Sequence, residues 1–454
     1  MIDRRTLLVR GAVAGATLAG AGAMGASPTA ASAKAAPGAP SLGAGKPFPS
    51  GFLWGAASSP HQTEGNNLGS DLWFLERQQP GIFSVPSGDA CNSFELWSDD
   101  LDLAKNMGLN SYRFGVEWAR VEPVKGQFSQ AMLDHYRRIV EGCRARNLAP
   151  IVTFNHFTTP LWFAAQGGWS NPEAPELFAR YCGKVAAAAG RTMAKAITIN
   201  EPNLLQSIKG MLPPQVWDLQ KATLQGAARQ LGVPRFLSAN VAGLDDLADL
   251  QRGLLAGHKA AKAAIKAQCP YLPVGVSLVV MDDQAAGSPK RRDQVREELY
   301  RAWFELAKQD DFVGVQNYER ALWGDEGRLP PPKGAVLNWS GAEVWAPSLA
   351  GAVKFAHQET GVPILISEHG VGTDDDRIRA RFIPESLSAL RNVMEEGVPV
   401  LGYCHWALLD NFEWIFGYKP KYGLHTVDPV TFARTPKMSA QVLGTIARRN
   451  AVTS

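Results

Sequence analysis

From about residue 46 onward, short apolar runs alternate with stretches in which apolar positions recur every three or four residues. The short runs predict strands over 52–57, 111–116, 150–155, 196–200, 274–280, 312–316, 363–367 and 400–405, because a few consecutive Val, Ile and aromatic residues bounded by turn formers suit a buried strand. Between them, Phe94, Trp97, Leu101, Ala104 and Gly108 share one helical face, as do Val295, Leu299, Ala302 and Leu306. Eight such alternations predict an α/β chain folded as a single closed (β/α)8 TIM barrel. An open doubly wound sheet would carry a glycine-rich phosphate loop after its first strand, and none follows Trp54. The segment 203–251 is too long for an ordinary strand-to-helix connection and carries Pro213-Pro214, which predicts a decorated loop at the barrel mouth.

The first residues do not fit this alternation. Asp3-Arg4-Arg5-Thr6-Leu7-Leu8 precedes a weakly apolar Ala/Gly stretch from Gly11 to Met24. That arrangement resembles a twin-arginine export signal, and the run is too short and glycine-rich to span a bilayer stably. Ala31-Ser32-Ala33 fits the small-x-small pattern of signal cleavage. The expected organisation is a signal at 1–33, a flexible segment at 34–46 and one catalytic domain at 47–454. The protein would then be exported to the cell envelope or beyond.

With 46 Lys plus Arg against 43 Asp plus Glu, the chain carries a formal charge of only +3 and has no long basic run. Nucleic acid is therefore excluded as an expected partner. Five cysteines, an odd number, are scattered along the chain, so at least one is free and buried thiols are expected. Neither the cysteines nor the eight histidines show metal-ligand spacing. No metal and no cofactor are implied, and the pattern is silent on oligomeric state.

In such a barrel the functional side chains stand at the C-terminal ends of the strands. The polar residues there are Gln62 with Glu64, Arg113, His156, Asn200 with Glu201, Gln316 with Tyr318, Glu368, and Trp406 with Glu413. A carboxylate ending a buried apolar strand is costly unless it has a role or a partner. Two strands end this way, in TINEP and ILISEHG. Two carboxyl groups facing one another can cleave an acetal, one protonating the leaving oxygen while the other attacks the anomeric carbon. The competing reading, in which a glutamate pairs with Arg113 merely to hold the barrel, accounts poorly for both at once.

These residues sit in longer stretches: FLWGAASSPHQTEG, YRFGVEWARVEP, TFNHFTTPLWF, TINEPN, DFVGVQNY, ISEHG, and GYCHWALLDNFEW followed by GYKPKYGLHTVD. In this order and spacing they resemble glycoside hydrolase family 1, the β-glucosidase family, over essentially all of the chain after Pro47. The resemblance implies that Glu201 is the general acid/base and Glu368 the nucleophile of a retaining double displacement through a covalent glycosyl intermediate. It implies that Arg113 and Tyr318 hold Glu368, and that Gln62, His156, Asn200, Gln316 and Glu413 contact sugar hydroxyls with Trp406 and Trp414 beside the ring. Asn200 would hold the 2-hydroxyl.

Where many members have an Asn-Tyr-Tyr run this chain has Gln316-Asn317-Tyr318. His369 stands for an Asn, Phe157 for a Trp and Ala407 for a Ser. No aglycone-platform tryptophan aligns cleanly, which leaves Trp323, Trp339 and Trp345 as candidates. Glu413 would repel a sugar 6-phosphate, although Lys421-Tyr422 faintly suggests a phosphate site. The expected substrate is a terminal unphosphorylated β-D-glucoside, galactoside or fucoside. A transglycosylase using the same glutamates is the alternative, and a sugar-binding paralogue without activity is disfavoured by the presence of both.

Overall fold

The computed structural model describes residues 47–452; the expected signal and flexible segment lie outside them. Eight parallel strands close into a barrel. They are β1 (Leu53–Ala57), β2 (Ser111–Gly115), β3 (Ala149–Asn155), β4 (Lys195–Asn200), β5 (Val274–Val279), β6 (Phe312–Asn317), β7 (Ile364–His369) and β8 (Val400–Trp406), with β1 pairing to β8. Helices follow the strands and cover the barrel, including the predicted Ser93–Asn106 and Lys290–Ala307. The expected fold is the observed one, with strand boundaries displaced by one or two residues.

Alternation along each strand divides the core in two. Trp54, Tyr112, Phe114, Val152, Val276, Val313 and Ile366 face the helices, whereas Ile151, Ile197, Phe312, Leu365 and Cys404 fill the barrel interior. Above that interior layer the residues become small. A Cβ on Gly314 would stand 2.2 Å from Ser277 Oγ and 2.8 Å from Ser367 Oγ. The space these short side chains leave lets Arg113, wholly buried, lay its guanidinium beneath the strand ends. All five cysteines are buried and unpaired.

The segment 203–251 is not the loop expected from its length and prolines. Pro214–Leu231 is a helix, with Pro214 in its first turn and Gly232 ending it at φ 65°. Proline lacks only an N–H that the first turn leaves unused, and glycine accepts the left-handed terminus. Its buried Val216, Trp217, Gln220, Thr223, Leu224 and Ala227 recur at helical spacing, a signal obscured by the polar residues between them. Among the described residues no helix is long and apolar enough to cross a membrane.

Candidate active site

Both strands that end in a carboxylate are irregular at that end. On β7, Ile366 pairs with Val315 of β6 and Glu368 with Gln316, so two residues on one strand span one on the other. On β4, Ile197 pairs with Gly275 and Asn200 with Ser277, three steps against two. Such a bulge re-aims the side chains beyond it. Strict alternation from Leu365, which points inward, would turn Glu368 outward. The bulge returns it to the interior and sends His369 out to Tyr403 Oη at 3.0 Å and to the Phe382 ring.

Glu201 follows β4 with φ 44°, and the residues after His156 and Glu413 also have positive φ, Phe157 at 69° and Trp414 at 49°. Side chains rarely adopt this region. Glu201 is fixed there by its N–H donating to Ser277 O at 2.8 Å and its C=O accepting from Leu204 N–H at 3.0 Å.

A cavity of about 220 Å³ opens at these strand ends. Its inner part is formed by Gln62, His156, Glu201, Gln316, Tyr318, Glu368, Trp406, Glu413 and Trp414, with Tyr422 beside them. Arg113 lies below and donates to Glu368 Oε1 at 2.5 Å, Asn200 Oδ1 at 2.5 Å, Ser367 O at 3.2 Å and Thr153 Oγ1 at 3.1 Å. Tyr318 donates its hydroxyl to Glu368 Oε2. The Glu368 carboxylate is thus held at both oxygens.

Burial pushes the carboxyl of Glu368 upward, while Arg113 and the Tyr318 hydroxyl pull it back. Burial also pushes Glu201 well above the usual carboxylate range, and the charge of Glu368 adds to this. Burial is the larger cause and the neighbouring charge the smaller. Glu201 lacks the paired donors that Glu368 has, so of the two Glu201 takes the proton. A protonated carboxyl and an anchored carboxylate sharing one cavity can act as general acid and nucleophile.

His156 lies between the Trp406 and Trp414 rings at centroid distances of 5.6 and 6.0 Å. Burial, then Arg113, hold it neutral. With the Asn200 amide donating toward its Nε2 at 3.3 Å, the imidazole keeps its N–H on Nδ1. That atom, Gln316 Oε1 and Glu413 Oε1 are buried without a hydrogen-bond partner. Leaving such atoms unpaired costs about 1–3 kcal/mol each, a cost that a polyhydroxylated ligand would relieve. Burial pushes Glu413 well upward, against the hydrogen bond from Trp406.

Three placements differ from expectation. Asn200 does not line the cavity: its Oδ1 accepts from both Arg113 and Gln316 Nε2, the latter at 2.7 Å, and its amide meets His156. Trp323, Trp339 and Trp345 do not line the cavity either. Trp323 donates to Asp283 Oδ1 at 2.7 Å and Trp339 to Tyr422 Oη at 2.8 Å, while Trp345 lies under the Arg320 guanidinium. Glu64 is bound to Arg120 and Tyr136 away from the cavity, and Lys421 is not in the lining.

Sequence reasoning missed the outer wall, built by Leu204, Ser207, Ile208 and Met211 with Val279, Val280, Met281 and Glu319. The first four recur at i, i+3, i+4 and i+7 in the sequence, although the helix itself spans only Leu204–Ser207.

Comparisons with known proteins agree with the barrel fold and with a glycosidase family. The profile of glycosyl hydrolase family 1 matches residues 44–232 and 333–452. Beta-glucosidase A of Thermotoga maritima is 27% identical, with 89% of this chain and 98% of that protein covered. Two solved structures, an apo beta-glucosidase 1317 and the beta-glycosidase BGL167, superpose with TM-scores of 0.84 and 0.83 at 38% and 41% identity. The first match covers 88% of this chain and 98% of the other, the second 90% and 99%.

Proposed function

The chain belongs to glycosyl hydrolase family 1 and is a β-glycosidase, and from that premise we propose a retaining exo-acting enzyme that removes a terminal, unphosphorylated β-D-glucosyl, galactosyl or fucosyl residue. The observation that carries the proposal is the asymmetry of the two glutamates. Glu368 is clamped by Arg113 and Tyr318 and suits the nucleophile, whereas Glu201, pushed upward by burial, suits the acid. Glu201 donates its proton to the leaving oxygen as Glu368 forms the glycosyl ester. It then removes a proton from the incoming water, which releases the sugar with its configuration retained.

The unpartnered His156 Nδ1, Gln316 Oε1 and Glu413 Oε1 supply one donor and two further contacts for hydroxyls, and Trp406 and Trp414 cover the apolar face of a pyranose. Asn200 and Arg113 position these groups from below. Residues 47–454 form the catalytic domain and 1–33 act as an export signal. The arginine pair and the buried unpaired thiols fit a protein folded in a reducing compartment before export.

The test is hydrolysis of aryl β-glucoside, galactoside, fucoside, xyloside and 6-phosphoglucoside, with Glu368→Ala as control. Activity on unphosphorylated glycosides, lost in the variant, is the expected result. Silence from folded protein across the panel would sink the proposal.

A further inference from the structure

The cavity has two chemically different sides. The side toward the glutamates is polar and aromatic. The outer wall is aliphatic: Leu204 lies on the short helix Leu204–Ser207 and Ile208 and Met211 in the turn after it, Val279 ends β5 with Val280 and Met281 next, and Met211 stands 41% exposed at the rim. A second sugar ring on this wall would need an aromatic platform or a set of hydroxyl partners. None of the candidate tryptophans lines this wall, and the polar side chains on it are Ser207 and Glu319. Methionine, unbranched and polarisable, instead moulds to irregular apolar surface.

Glu319 is ion-paired at the mouth rather than isolated, its Oε2 facing a guanidinium although no hydrogen bond reaches it. After the strand Arg320–Gly324 the chain reverses, pairing Trp323 with Arg328. Arg328 then returns to the mouth, where its Nη2 lies 3.3 Å from Glu319 Oε2 and its Nη1 donates to Met211 Sδ at 3.0 Å. One guanidinium therefore ties the residue after Tyr318 to the aliphatic wall, while Arg328 itself lies outside the cavity lining.

The geometry points to Arg328 as a positioning residue that latches Met211 and Glu319 into a closed, apolar acceptor pocket, which selects aglycones of aliphatic or simple aryl character over a second sugar. This rests on the assignment of Glu201 and Glu368 given above. A guanidinium presents its donors in a fixed fork, so it holds the two partners in one geometry.

The experiment compares a hexyl β-glycoside with a β-linked disaccharide, both carrying the glycone that the aryl panel ranks first. For the unaltered enzyme, kcat/KM for the hexyl glycoside should exceed that for the disaccharide by about tenfold or more, the scale of a small difference in apolar burial. In Arg328→Ala this ratio should fall about fivefold, through a higher KM for the hexyl substrate and little change in its kcat. Met211→Gln, a substitution on the exposed rim, should lower it in the same way and stands in if Arg328→Ala does not fold. A disaccharide preference in the unaltered enzyme would overturn the apolar pocket, and an unchanged ratio in folded Arg328→Ala would overturn the latch. Loss of all aryl glycoside hydrolysis is a separate outcome, which removes the glutamate assignment and this inference with it.

Discussion

Arg113 and Glu368 stand on strands separated by two others around the barrel, β1 and β8, and meet in a 2.5 Å ion pair. Both side chains are almost wholly excluded from solvent. The same guanidinium supports Asn200, so one residue of β2 sets the positions of groups on β4 and β7. Replacing Arg113 with Met leaves the buried Glu368 carboxylate without its cation, a loss of about 3–5 kcal/mol in stability. Chemical denaturation should show this. In whatever fraction remains folded, Glu368 should hold its proton to higher pH, moving the acidic limb of kcat/KM upward.

Removing either glutamate separates the two half-reactions. Glu201→Ala should slow glycosides with poor leaving groups by about 10²–10⁴-fold and affect an activated aryl glycoside much less. Azide, which needs no general base, should restore turnover and give a β-glycosyl azide. Glu368→Ala with azide should give the α-azide by a single inversion. Product anomers read by NMR decide this, and a β-azide from Glu368→Ala would exchange the assignments.

The pH profile follows from the active protonation states. Glu201 works protonated, and burial together with the charge of Glu368 moves its carboxyl upward, which extends the active range toward higher pH. Activity should fall on the acidic side as Glu368 takes up a proton and on the basic side as Glu201 loses one. In Glu201→Gln, measured on an activated aryl glycoside, the basic limb of kcat/KM should vanish while the acidic limb stays. A basic limb that persists would assign it to another group.

Glu413 combines an unpartnered buried Oε1 with a carboxyl that burial moves well upward. Glu413→Ala should reduce kcat/KM on the unphosphorylated substrate by about 10–200-fold, the cost of one or two hydroxyl contacts. Any 6-phosphoglycoside hydrolysis should rise relative to it, most at high pH, where Glu413 is ionised and repels phosphate. A ratio unchanged across pH would argue against the carboxylate as the discriminating charge.

Glu64 belongs to the scaffold, where burial raises its carboxyl from 4.5 to about 7 against the opposing Arg120. The folded protein therefore holds this proton more tightly than the unfolded chain does. The resulting stability is complete below pH 4.5 and is lost as pH rises through 7. Glu64→Gln, which cannot ionise, should flatten that decline by about 3 kcal/mol at most. Unfolding free energies at pH 4.5 and 8 for both proteins would reveal it, and equal slopes would remove Glu64 as the source.

Eight apolar runs and the helical faces between them were enough to predict the barrel, because the period of burial is a local property of the chain. The strand-end glutamates were legible for the same reason: a carboxylate closing a buried run is conspicuous. Residues 203–251 were misread, since two prolines and scattered polar residues masked helical spacing that becomes clear only in the burial of Val216, Trp217 and Leu224. Three tryptophans stayed equal candidates for the aglycone site because an indole can pack on any surface within reach, and composition does not say which.

What the sequence alone determined is the set of groups and the strand each one closes. Which way those groups point was decided by tertiary structure. Alternation assigns Glu368 to the outer face, and only the shifted register against β6 brings it back to Arg113. The outer wall likewise forms only where Leu204, Ile208 and Met211 meet Val279, Met281 and Glu319 from other parts of the chain. Side-chain period is fixed along one strand, but register and closure depend on neighbours far away in sequence, and a one-residue shift reverses a face.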